Sequence, residues 1–422
     1  MNLHQQRLQN KKIISKKEQE GSRLKKHVSL ILRFVVCITV VLAVIAGITM
    51  FYGMDKTELV SVEGRTFDKA VVIEIVRDNI QENGTRSGEQ QVKVRMTSGR
   101  FKNQELDATS SDGNLFGAVC KVGMKVVCIV SATDSGQLVS VYSQDRQLTI
   151  YIYVAVFLLL ICIIGGKNGV KSVIGLIFTF VCLVYIYLPL IYKGYSPFVV
   201  AVFVCALATV VTMYLIGGFT KKTFASITGT VLGVIAAGVS AHIFGKFAGI
   251  SGNNVSDIET LLFVGQNTKI RIGELLFSGI LIASLGAVMD VAMSISSTIA
   301  EINEKNPQLT APQLFISGLK VGRDMMGTMS NTLILAFVGG SLSVLVVDYA
   351  YNLPFLQLIN SYTIGIEIMQ GISGSIGVVM TVPFVAAIAA FFMSGEESSD
   401  KVADAAGKNI ADTVNKDTAE CL

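Results

Sequence analysis

Hydrophobic and polar positions alternate on two scales along this chain, and the longer scale dominates. Crossing the hydrocarbon core of a bilayer takes about 20 mostly apolar residues. Eight stretches with few or no charges meet or approach that length: 34–52, 148–165, 172–192, 198–218, 223–244, 275–299, 328–347 and 374–393. They predict eight transmembrane helices. Residues 53–147, between the first and second, change period. In QVKVRM, Val92, Val94 and Met96 alternate with Lys93 and Arg95, the pattern of a half-buried strand. Similar short runs occupy 70–76, 124–130 and 138–142, and a Ser98-Gly99 turn precedes a further expected strand at 101–106. These strands predict a small antiparallel barrel or sandwich, with an OB-like barrel preferred.

The expected fold class is therefore a polytopic α-helical membrane protein of about eight transmembrane helices with a small extracytoplasmic β-rich domain. Residues 1–33 form a basic cytoplasmic segment and 34–52 the first helix. The β-rich domain takes 53–147, the membrane domain with seven helices 148–394, and a cytoplasmic tail 395–422.

Composition strengthens the membrane reading. Of 422 residues, 51% are hydrophobic and only 16% charged, and the mean hydropathy is +0.58, far from the soluble average. Charge supplies the orientation. The first 27 residues carry eight lysines and arginines against Glu18 and Glu20, which holds the N-terminus in the cytoplasm by the positive-inside bias. An even number of spans returns the C-terminus to the same side, and Lys167, Lys171, Lys221, Lys222, Lys305, Lys320 and Arg323 then all fall in cytoplasmic loops. With no small-residue cleavage site after it, the first run reads as a retained signal anchor. The basic cluster suits anionic lipid headgroups, so membrane lipids are expected partners and nucleic acid is not. Cys120 and Cys128 are the two cysteines outside the spans and tail, and their spacing leaves a disulfide open.

Candidate chemistry gathers in the sixth and seventh spans. Gly279, Ala283, Ala287, Asp290, Ser294 and Ser297 recur at intervals of three or four, so small residues and one carboxylate share a helix face. An ionisable residue at that depth is functional by default and should face the protein interior or water. Thr310 and Gln313 have the spacing of a capping box, with Pro312 in the first turn. The helix they start would carry Lys320, Arg323 and Asp324 at its end before the chain enters the membrane after Gly327. Thr328, Ser330, Asn331 and Thr332 then occupy the first turns of the seventh span. A lipid-facing amide would lose its hydrogen bonds, so these residues are expected to turn inward, toward Asp290 and water. Asp290, Ser294, Thr328, Asn331 and Thr332 form the candidate polar site, and Arg323 and Asp324 stand at its inner mouth.

The segments LGAVMDVAMSISS (285–297) and SGLKVGRDMMGTMSNTLILAFVGG (317–340) resemble the signature of the YibE/F-like family of bacterial multi-pass membrane proteins. GSIGVVMTVPF (374–384) is similar to that family's last hydrophobic region, and its members also carry a β-rich insert after the first span. The resemblance implies a bacterial plasma membrane and a loose link to transport.

Three other motifs are decoys. GGKNGVKS (165–172) has Val170 where a phosphate-binding loop needs its second glycine. Gly371-Ile372-Ser373-Gly374 matches an intramembrane serine protease in two glycines alone, and His242 has no supporting motif. Asp290 with Asp324 or Asp348 lacks the glycine pattern of an aspartyl dyad. No enzyme activity, cofactor or metal is expected. Two functions stay open: a transporter or permease of unknown substrate, and a non-transporting scaffold that binds a partner through its β domain. The small-residue helix face Ala225, Gly229, Gly233, Ala237 and Ala241 reads first as packing inside one subunit and second as a homo-oligomer contact, and a separate membrane or ATPase partner is a further expectation.

Overall fold

The structure is a computed structural model that describes residues 47–49, 51–53, 57–59, 64–80, 88–111, 117–133, 136–255 and 258–394. The chain divides into two compact units, Glu58–Ile164 on one hand and Met1–Thr57 with Gly165–Leu422 on the other.

The first unit holds five strands, β1 (Arg65–Arg77), β2 (Gln90–Met96), β3 (Glu105–Ser110), β4 (Lys125–Thr133) and β5 (Gly136–Gln144), closed into a barrel in the order β1-β2-β3-β5-β4. Alternation does what the sequence predicts. Ala70, Val72, Val92, Val94, Met96, Val126, Cys128, Val130, Val139 and Val141 point inward and are buried. Long β1 serves two partners: Ala70 pairs with Met96 of β2 and with Val126 of β4. One expected strand is displaced. Residues 101–103 are turn and β3 begins at Glu105, because Gly99 (φ 78°) and Asn103 (φ 68°) adopt left-handed backbone, closed by bonds from Lys102 N to Gly99 O and from Gln104 N to Phe101 O.

Polar groups inside the barrel are paired. The Gln90 side chain is buried; its Oε1 accepts from Cys120 N at 2.8 Å and its Nε2 donates to Cys120 O at 3.2 Å. Cys120 and Cys128 are free buried thiols. Burial, and then the nearby Cys120 and Asp68, push the Cys128 thiol up to about 12.

The second unit is helical, and its first helix begins within the other unit, before Gly165. Helix α1 (Gln147–Cys182) continues through a π-helical turn, Leu183–Tyr187, to Tyr192, and is followed by α2 (Pro197–Gly217), α3 (Lys221–Ala248), the short α4 (Ile258–Asn267), α5 (Leu275–Lys305), α6 (Ala311–Gly340), α7 (Leu342–Ala350), α8 (Phe355–Ile359) and α9 (Tyr362–Met393). Among the described residues five helices are long and apolar enough to cross a membrane, or six if the bent pair α6 and α7 is one span. The eight expected spans compress for definite reasons. Most of the first lies outside the described residues. The second and third join in one helical stretch, Gln147–Tyr192, interrupted at Gly166, whose φ of 52° and ψ of −130° are not helical. The seventh is the bent pair, with 61° between its halves.

Small residues let this unit close. The stripe Ala225, Gly229, Gly233, Ala237 and Ala241 is buried, largely against α9: a Cβ on Gly233 would sit 1.9 Å from Thr381 Oγ1, and one on Gly229 2.1 Å from Val385 Cγ2. Buried hydroxyls mostly bond back to their own helix, as Thr381 does to Gly377 O at 2.7 Å and Thr209 to Cys205 O at 2.7 Å. Tyr187 and Ser278 instead pair across helices at 2.5 Å.

Candidate functional site

Helix α5 is central, packed on α2, α3, α6 and α9. Leu281, Leu285, Val288, Ala292, Ile295 and Ile299 are buried in the core. The remaining face carries Gly279, Ala283, Gly286 and Asp290 at intervals of four, three and four, and all four are exposed at the surface of the unit. Among the described residues nothing lies within 4 Å of a Cβ built on Gly279 or Gly286. Asp290 is the middle residue of this 31-residue helix, so about 22 Å of helix extends on either side of it.

Helix α6 runs antiparallel to α5, which follows from its packing glycines. A Cβ on Gly318 would meet Ile299 at 2.6 Å, and one on Gly322 would meet Ile295 at 3.2 Å and Val382 of α9 at 2.2 Å. Continuing that register puts Asp290 level with Gly327 and Thr328. The capping box forms as expected, with Gln313 Oε1 accepting from Thr310 N at 2.9 Å. Beyond it the helix does not stop at Asp324; it runs unbroken to Gly340.

The polar residues of α6 do not turn into the core. Arg323, Asp324, Thr328, Asn331 and Thr332 are exposed, and the inward positions belong to Leu314, Gly318, Gly322 and Leu333. The expectation of an inward-facing site is therefore not met within one chain, for a steric reason: α6 packs its glycines against α5 and α9, and no larger side chain fits there. Thr332 Oγ1 donates to Thr328 O at 2.9 Å, and Thr328 Oγ1 to Asp324 O at 3.4 Å. Ser294 is half-buried one turn from Asp290, and its carbonyl accepts from Thr298. Ser330 faces α9, where its O receives Ser375 Oγ at 3.5 Å, and Ile334, exposed, borders Gly371 at the edge of that contact. Thr328 and Thr332 lie on the opposite flank of α6. The register brings Asp290 level with Thr328, with Ser294 about one turn away toward Arg323 and Thr332 about one turn away on the other side; Arg323, Asp324 and Asn331 point away from the core. Among the described residues Arg323 and Asp324 form no ion pair with each other or with any neighbour.

Sequence reasoning missed the bend. After Gly339-Gly340, Ser341 ends α6 and α7 departs at 61°, leaving an apolar cavity of about 300 Å³ lined by Ile334, Val338, Ser341, Ile364, Glu367 and Ile372 among others. The paired glycines were its signal. The protease-like pair is not assembled: Ser373 is buried in α9, while His242 is exposed and packs edge-on to Phe277.

A family model described as YibE/F-like protein matches residues 153–395. Neither a curated protein nor a solved structure matches the chain.

Proposed function

We propose, on the premise that the chain belongs to the YibE/F-like family, that it is a transporter or permease whose working residue is Asp290. One observation carries this reading: a carboxylate at the midpoint of an apolar, membrane-length helix, on a face of glycine and alanine with no side chain of the described residues over Gly279 or Gly286. A lipid-facing carboxylate there costs several kcal/mol or more, and a hydrated cation or a transferred proton is the partner that removes the cost. Thr328 lies at the level of Asp290, and Ser294 and Thr332 lie about one turn away on either side; together they supply hydroxyl and carbonyl oxygens of the kind a dehydrating cation needs. The path is proposed to run along the α5 and α6 surface, with both termini in the cytoplasm of a bacterial cell.

The test uses inverted membrane vesicles from a deletion strain carrying wild-type or Asp290→Asn protein. Fluxes of protons, sodium and potassium are followed with ion-sensitive dyes. The Asn variant keeps the side-chain size and is expected to lose at least tenfold in flux while its amount and melting temperature in detergent stay at wild-type level. Full flux through Asp290→Asn removes Asp290 from the mechanism.

A second reading, a scaffold, is favoured by the barrel surface. Phe67 and Tyr142 are exposed and pack edge to face at 5.4 Å, with exposed Leu138 on the same strand as Tyr142. Such a patch suits a protein partner. Loss of a co-purifying partner in Phe67→Ser, with ion flux unchanged, decides for the scaffold.

A further inference from the structure

We propose that the outward face of α6 is the seam of a homodimer within the membrane, occupied by a second copy of this chain. Lys320, Asp324, Gly327, Asn331, Ile334 and Val338 follow one another at alternating intervals of four and three, and all six are exposed. That alternation is the spacing of two helices wound with a left-handed twist, and it puts Asn331 where a single polar side chain fixes register and the number of strands. Lipid cannot satisfy the Asn331 amide. Across a two-fold axis the partner's Asn331 can, each amide donating to the other's carbonyl.

Charge points the same way. Arg323 and Asp324 are exposed, adjacent and opposite in sign, without an ion-pair partner among the described residues. A two-fold axis along the seam sets Arg323 of each copy beside the partner's Asp324, so the face complements itself. Gly327, with nothing among the described residues within 4 Å of its Cβ position, lets the two backbones approach. Toward Gly340, Ile334 and Val338 also line the apolar cavity of about 300 Å³, which gives apolar side chains of the partner a space to enter. The rival cover is the chain's own apolar run, residues 34–46. It contains one hydroxyl, Thr39, and no amide or charged side chain, so it offers Asn331, Arg323 and Asp324 almost nothing. The seam is a surface distinct from the Asp290 face of α5, and it stands whether or not Asp290 carries transport.

Single cysteines introduced along positions 320–338 of full-length protein lacking its native cysteines, oxidised in membranes, test the seam. Disulfide-linked dimers should peak at Asp324→Cys, Gly327→Cys, Asn331→Cys, Ile334→Cys and Val338→Cys and fall at Met329→Cys and Thr332→Cys. Absence of dimer at Asn331→Cys, or equal cross-linking all along α6, overturns the proposal. So does a cross-link within one chain from Asn331→Cys to a retained Cys37, which assigns the seam to the first apolar run. If cysteine variants express poorly, the mass of the wild-type protein in native nanodiscs decides: two copies per particle are expected, and single copies refute the seam. Asn331→Leu should weaken the dimer roughly three- to twentyfold, the range of intramembrane polar contacts. Reversing either Arg323 or Asp324 alone should weaken it too, and reversing both should restore it.

Discussion

The barrel and the helical unit invert each other's rules. In the barrel, apolar side chains alternate into a closed core and the outward positions are polar, as at Lys93 and Arg95 on β2. Exposed charge is ordinary there: Arg95 and Glu105 pair at 2.8 Å in the open, a contact worth about 0–1 kcal/mol. In the helical unit the outside is apolar, with Phe203, Val239 and Phe391 exposed, and the inside combines aliphatic residues such as Leu281, Val288 and Ile295 with glycine, alanine, serine and threonine that bring backbones close. An exposed Asp290 or Asn331 is therefore informative in one unit and would mean nothing in the other. The same accessibility carries opposite meaning because the solvent differs.

The sharpest way to break this comparison is to add bulk where the helical unit has none to spare. Gly233→Leu would drive its side chain into Thr381 and Gly377 of α9 and should cost about 3 kcal/mol or more, enough to abolish monodisperse protein in detergent. Gly279→Ala, on the open face of α5, should change the melting temperature little, within about 0.5 kcal/mol. Equal tolerance of both substitutions would mean that α3 and α9 do not pack as described.

A comparable effect, confined to the barrel, is expected from Gln90→Leu. The volume is kept, but Cys120 loses the partner of both its N–H and its C=O, at about 1–3 kcal/mol for each buried group left unpaired. Accessibility of the barrel thiols to a maleimide during a temperature ramp reads this out, and labelling should begin at lower temperature in the variant. An unchanged ramp would show that the Gln90 bonds add nothing.

The mildest prediction concerns pH. The Cys128 thiol is raised from 9.0 to about 12 by burial, so between those values the unfolded chain releases a proton that the folded barrel keeps. Its contribution is complete below pH 9 and lost as pH rises through 12. Barrel stability should fall over that window in wild type and fall less in Cys128→Ala, measured by denaturant unfolding at pH 8 and pH 10. Identical slopes would place Cys128 in contact with water.

What the sequence determined is what depends on period and length. Alternation at Val92, Val94 and Met96 specified a strand and its buried face, the capping residues Thr310 and Gln313 marked the start of α6, and the long apolar runs gave membrane-length helices. The signature around Asp290 and Asn331 gave the family. What tertiary structure alone decided is which side of each helix meets a neighbour. The small-residue faces of α3 and α5 read alike in sequence, yet α3 buries Gly229 and Gly233 against α9 while α5 leaves Gly279 and Gly286 open. Helical period groups residues onto a face, but the choice of face belongs to steric fit with helices far away in the chain. Gly318 and Gly322 took the contact with α5 and α9 because only a glycine fits there, and that choice turned Asn331 and Thr332 outward.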